Sequence, residues 1–379
     1  MKKIFLSALS AILATGVSYS QWIPSAPGSY DYATTSNWGG SSITGDFTFP
    51  WTGSPGVMEV CFDSPAGVPL TLATGLNFNL SGYETDGPRN LFFAGTFNPV
   101  TLALTGDITN KTALPAGSTI LFGTNTDNAG LTVDFGASPR TVSSASANGF
   151  AFVNSITGSN NITFSGGGLT GFEADNSGFT GNIIVSGATV ALRAQGAFRE
   201  AGMINLTGTA SSPAKLVLDN DNASWSGVAK TSIYDRIGSV PIVTNGNAAI
   251  IYRVDDPVGG FQVIPSIQVD SGQTVIQLTG DWDRTGAIWP PPGITEACGI
   301  AIGNIEMAPG TSLVVGNYFD NGYKNLKSLL GQVEDESVAY RSTTIKTATI
   351  NGADPSQSLV NGILPFVVVG NYTDRKSVV

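Results

Sequence analysis

Asp281-Trp282-Asp283-Arg284 is the group in this chain best arranged for acid–base chemistry. Side chains two apart on an extended strand share a face, so Asp281 and Asp283 are expected together, with Trp282 opposite and Arg284 beside Asp283. Glycoside hydrolysis needs two carboxylates about 5 to 10 Å apart, one of them held protonated by its surroundings. A second acidic group, Asp219-Asn220-Asp221-Asn222, clusters oxygen ligands of the kind Ca²⁺ takes, with Asp219 and Asp221 as its carboxylates. Asn125-Thr126-Asp127-Asn128 is similar. Neither carries the Gly-x-Asp ladder of calcium β-rolls or a Glu-terminated EF-hand loop. Asn and Asp are also the commonest turn residues, so a solvated corner is the simpler reading. Trp22, Trp38 and Trp51 make a third candidate, a sugar-binding module, because flat indole rings stack on sugars; core or cap packing is the competing role.

What is missing narrows the choice further. The sequence holds no His, which removes Ser-His-Asp and Cys-His catalysis, imidazole metal ligation and any imidazole switch near neutral pH. Eighteen basic against 28 acidic residues, a formal charge of −10, give no electrostatic footprint for nucleic acid. No cofactor motif is present. Cys61 and Cys298 lie far apart in sequence, with no Cys or His neighbour at metal-ligand spacing. One long-range disulfide is open to them in an oxidising compartment, and two buried thiols in separate core layers is the plainer expectation.

The elements that must position these residues read as strands. Leu70-Thr71-Leu72, Val100-Thr101-Leu102-Ala103-Leu104, Leu131-Thr132-Val133-Asp134-Phe135, Asn161-Ile162-Thr163-Phe164 and Lys215-Leu216-Val217-Leu218 each alternate with period two, as a strand with one buried face does. Gly, Asn, Asp and Pro punctuate them, and 41% hydrophobic residues suffice for a large core. Helical signals are confined to short turns at Gly196 to Gly202 and Lys324 to Leu330. The chain is therefore expected to be all-β. Tight Asn-Gly hairpins between long strands are scarce, which favours stacked coils of a parallel β-helix, about 25 residues each and about 13 in number. Tandem β-sandwiches remain the alternative, because the same alternation allows them.

Four regions follow. Residues 1–20 read as a signal peptide: Lys2 and Lys3 precede an apolar run from Ile4 to Val17, then Ser18-Tyr19-Ser20 places small residues at a cleavage site before Gln21. The run is too short to span a bilayer, so no membrane-spanning segment is expected after cleavage. Residues 21–68 concentrate Trp and Pro with little repeat and read as an irregular N-terminal cap or small β module. Residues 69–373 form the repeat region, and 374–379 read as an irregular, non-native tail after a truncated C-terminus. Trp289-Pro290-Pro291-Pro292-Gly293 interrupts the repeats as an extended loop, since three prolines supply no ladder donors.

From Asn161 onward the residues resemble a known repeat. Asn161-Ile162-Thr163-Phe164-Ser165-Gly166, Asn176-Ser177-Gly178-Phe179-Thr180-Gly181, Ile184 to Val190 and Gly196-Ala197-Phe198 look like the autotransporter-associated β-strand repeat, with Phe179 at its Tyr position. Asp235-Arg236-Ile237-Gly238 and Gly362 to Phe366 look like continuations of it. The resemblance implies a right-handed parallel β-helix similar to the passenger region of a bacterial autotransporter, secreted or displayed at the cell surface. It implies a structural or adhesion protein that contacts extracellular polysaccharide or other surface proteins. No terminal series of amphipathic barrel strands accompanies it. The alternative is a polysaccharide lyase or hydrolase on the same scaffold, using Asp281 and Asp283.

Overall fold

The computed structural model describes residues 28–38, 47–48, 56–62, 68–72, 75–78, 89–95, 99–110, 119–123, 130–145, 149–220, 233–253, 260–280, 298–319 and 366–374. Residues 1–20, read above as a signal peptide, and Trp22, Trp51, Asp127, Asp221, Asp281, Asp283, Pro290 to Pro292 and Lys324 to Leu330 lie outside them.

Within the described residues the chain runs through β1 (Gly28–Asp31), β2 (Phe47–Thr48), β3 (Gly56–Phe62), β4 (Leu70–Leu72), β5 (Leu76–Phe78) and β6 (Arg89–Gly95). It continues with β7 (Val100–Leu104), β8 (Ile108–Asn110), β9 (Thr119–Phe122), β10 (Leu131–Asp134), β11 (Arg140–Ser144), β12 (Phe150–Phe152) and β13 (Ile156–Thr157). Next come β14 (Ile162–Ser165), β15 (Leu169–Phe172), β16 (Ile183–Ser186), β17 (Thr189–Leu192), β18 (Ile204–Gly208), β19 (Ala214–Asp219) and β20 (Ile242–Gly246). The last are β21 (Ala248–Arg253), β22 (Gly260–Val269), β23 (Gln273–Gly280), β24 (Cys298–Met307), β25 (Ser312–Phe319) and β26 (Phe366–Asp374). The one helical element among them is a 3₁₀ turn, Thr35–Trp38.

Three sheets collect these strands. Sheet A has the order β2-β5-β8-β11-β14-β16-β18-β20-β22-β24-β26, sheet B the order β1-β3-β6-β9-β12-β15-β17-β19-β21-β23-β25, and the small sheet C the order β13-β10-β7-β4. From β3 to β14 the chain visits sheets B, C and A in turn, and each circuit adds one strand to each sheet. From β15 on it alternates between B and A. All described pairings are parallel, for example Leu131↔Val100, Ile204↔Ile242 and Ile250↔Ile276. Sandwiches are built from antiparallel sheets, so this all-β chain with long parallel sheets has the arrangement expected of stacked coils instead.

Alternation along each strand buries one face, and parallel register aligns the buried residues coil upon coil. Ile162, Ile183, Ile204, Ile242, Ile267 and Ile305 form one column in sheet A, all fully buried. In sheet B, Phe93, Phe122, Phe152 and Phe172 form another, continued by Leu192, Leu218 and Tyr252. Their rings stack at 5.1, 4.9 and 5.1 Å, tilted by only 13°, 12° and 8°. Strand spacing of about 4.8 Å imposes that stacking distance. Each buried aliphatic or aromatic side chain contributes about 1.5–3 kcal/mol, so the columns dominate the stabilisation of the fold.

Coil length varies more than the sequence period suggests. Thirty residues separate Phe122 from Phe152, 20 separate Phe152 from Phe172, and 34 separate Leu218 from Tyr252. Among the described residues sheets A and B each hold 11 strands. The strand of sheet C does not set this length: the 20-residue coil from Phe152 to Phe172 carries β13, and the equally short coil from Phe172 to Leu192 carries no described strand on that side. Along this third side, side chains take part in the ladder: Asn154 Oδ1 accepts from the Leu131 amide and Asn176 Oδ1 from the Ile156 amide, both at 2.9 Å. Asn176 is fully buried and its Nδ2 donates to the carbonyls of Ala174 and Ala197, tying neighbouring coils together. At the opposite corner, from A to B, turns are tight. Gly246 and Gly272 adopt φ of +80° and +70°, and a Cβ on either would meet the backbone of the neighbouring coil's glycine.

Gly28–Asp31 and Gly56–Phe62 already belong to sheet B, so the parallel sheets begin inside the segment read as a cap. Aromatics there join the same core: Tyr32 lies 4.7 Å from the Phe62 ring. At the far end β26 runs through Asp374, paired with Met307, so the strand pattern persists to the residue where the tail was expected to start.

Candidate functional site

Two surfaces of the coil stack carry ordered polar chemistry. The first is the outer face of sheet A. Inward Ile and Val positions force the intervening residues outward, and register then lines these up. Asn77, Thr109, Ser143 and Ser165 succeed one another on neighbouring strands, and Ser186, Thr207 and Asn245 continue the same position. Beside them run Thr141, Thr163, Ile184, Asn205, Val243, Gln268 and Glu306. Each step is about 4.8 Å along the stack. From Thr141, which follows Asp107, the second rank is uncharged up to Glu306, and the first is uncharged up to Asp270; local bonds knit them together: Asn245 Nδ2 and the Thr207 hydroxyl both donate to Asn205 Oδ1, each at 3.2 Å.

The second is a row of charges at the ends of sheet B strands. Glu173, Arg193, Asp219 and Arg253 each follow the last inward residue of a strand, namely Phe172, Leu192, Leu218 and Tyr252. Opposite charges therefore alternate from coil to coil. Arg193 Nε lies 3.2 Å from one Asp219 oxygen and Arg253 Nε 3.7 Å from the other, while the Asp219 side chain is 1% exposed. Burial pulls the Arg193 guanidinium below its ordinary range, partly offset by Asp219.

Behind this row, on the inner side, Arg236 is completely buried. Its Nη1 donates to the Gly196 carbonyl at 2.7 Å, and its Nη2 to the carbonyls of Asp219 at 2.9 Å and Ala194 at 3.2 Å. Ala194 is the one described non-glycine residue with positive φ, +46°, so the guanidinium braces a backbone turn that L-residues avoid. Desolvation pulls Arg236 down to about 10, which leaves it cationic at neutral pH. On the surface, Arg199 joins Asp175 at 2.7 Å and, through two nitrogens, Asp235 at 3.1 and 3.0 Å, spanning three coils.

This geometry recasts the sequence candidates. Asp219 was read as part of a solvated corner, with Ca²⁺ ligation as the alternative; its carboxylate is instead buried between two guanidinium groups, which give it an ion-pairing role and repel a cation. Asp221, the other member of that pair, lies outside the described residues, as do Asp281, Asp283, Trp22 and Trp51. Trp38 closes the 3₁₀ turn Thr35–Trp38. Among the described residues no group of three or more His, Cys, Asp or Glu is placed to hold a metal ion. None of the described helical segments is long and apolar enough to cross a membrane. Cys61 is partly exposed rather than buried.

Sequence reasoning missed the charge row and the Arg236 brace. A signal was present: the charged residue directly after the last inward residue recurs at Phe172-Glu173, Leu192-Arg193, Leu218-Asp219 and Tyr252-Arg253. No protein-family model, curated protein or solved structure matches the chain.

Proposed function

We propose that the chain is an exported, non-enzymatic protein of the cell surface or extracellular space, a right-handed parallel β-helix that offers one long face for adhesion or matrix contact. The observation that carries this reading is the uncharged rank of Asn, Thr and Ser on sheet A that runs from Asn77 to Asn245, with the mostly polar rank from Thr141 to Gln268 beside it. Such ranks suit many weak, repeated contacts with a polymer or another surface protein. A catalytic centre calls instead for a few convergent, pKa-tuned groups. The carboxylates of Asp219, Asp175 and Asp235 are each paired with arginine, which supports display over chemistry.

Export rests on the 1–20 leader, and the autotransporter-like reading on the repeat residues between Asn161 and Phe198. Fractionation of cells that express the full chain tests the first: mature protein beginning at Gln21 is expected outside the cytoplasm, and unprocessed cytoplasmic protein overturns export. Purified protein screened against polysaccharides tests the second. Saturable binding without product is expected, whereas cleavage abolished by Asp281→Asn establishes the enzyme alternative.

A further inference from the structure

We draw no further inference here: the strongest candidate, the outward-facing apolar patch on sheet B formed by Phe92, Leu121, Ala151 and Val153, carries nothing because nothing in the structure shows what covers it.

Discussion

Arg236 and Asn220 are joined twice: Nε and Nη2 of the guanidinium both donate to Asn220 Oδ1, at 3.0 and 2.7 Å. Asn220 in turn donates from Nδ2 to the Tyr252 hydroxyl at 3.3 Å, one coil further on. Since Arg236 also reaches Ala194 and Gly196 one coil back, this pair links three successive coils at the corner where sheet C has ended.

Removing that guanidinium strands several buried acceptors together. Arg236→Met is expected to lower unfolding free energy by at least about 3 kcal/mol, since each buried carbonyl left unsatisfied costs about 1–3 kcal/mol. Arg236→Lys is expected to rescue little of this, because an ammonium cannot span acceptors arranged around a planar fork. Urea unfolding of both variants measures it. A loss below about 1 kcal/mol for Arg236→Met means that the corner relaxes around the missing fork.

The alternation of faces in sheet A makes two adjacent columns respond oppositely. Ile204 is fully buried in the isoleucine column, so Ile204→Ala is expected to cost about 2–5 kcal/mol. Ile184 faces outward between Thr163 and Asn205, so Ile184→Thr is expected to stay within about 0.5 kcal/mol of the parent. Thermal unfolding of the two variants reads the register directly. Equal losses imply a strand shifted by one residue, which exchanges the two faces.

Strand alternation was legible because it is local: Lys215-Leu216-Val217-Leu218 shows its buried face without reference to any partner. Coil length was not legible. It is set by the connections between strands, which carry no period of their own: the coils from Phe152 to Phe172 and from Phe172 to Leu192 are equally short although only the first holds a strand of sheet C, and the second has the buried Asn176 on that side. Asp219 misled for the same reason. Flanked by Asn220, Asp221 and Asn222 it has the composition of a solvated turn or cation loop, and only register brings Arg193 and Arg253 to it from 26 and 34 residues away. The pentapeptide Val-Val-Gly-Asn-Tyr recurs at Val314 to Tyr318 and Val368 to Tyr372; each copy lies in the last described strand of its sheet, so repetition in sequence follows repetition in space.

The Arg199 cluster predicts how stability responds to acid. Its hydrogen bonds hold the Asp235 carboxyl below its ordinary value. A depressed folded-state pKa contributes stability that is present above the unfolded value of about 3.9 and is lost as pH falls through the folded value. Arg199→Gln is expected to flatten the stability profile below about pH 4. Because both carboxylates of the cluster are exposed, the loss at neutral pH is expected to stay under about 1 kcal/mol and to shrink with salt. Urea midpoints measured between pH 2 and 7 check it; an acid limb unchanged by the substitution rules the pairing out.

Register also decides the cysteine question. Cys61 lies in β3, second in sheet B, and Cys298 opens β24, tenth in sheet A. Eight strand spacings of about 4.8 Å separate their coils by about 38 Å, whereas a disulfide needs Cα atoms within about 7 Å. Monomer alkylated in denaturant without reductant is expected to take up two labels. A monomer that takes two only after reduction contradicts the stacking order.

If the outer face of sheet A is the display surface proposed above, substitution there should change binding while sparing the fold. Thr163 and Ser165 face outward on β14, with Phe164 buried between them, so Thr163→Arg and Ser165→Arg leave the isoleucine and phenylalanine columns untouched. Surface changes of this kind shift stability by about 0.5 kcal/mol or less. If the ranks make repeated contacts, two bulky charges set in them are expected to reduce retention on whichever immobilised polysaccharide or matrix protein the parent binds by at least tenfold, with an unchanged melting temperature. Asp281→Asn and Asp283→Asn are expected to bind as the parent does. The opposite outcome, retention lost in the Asp variants and kept in the Thr163 and Ser165 variants, moves the functional surface off sheet A and onto the connection that follows β23.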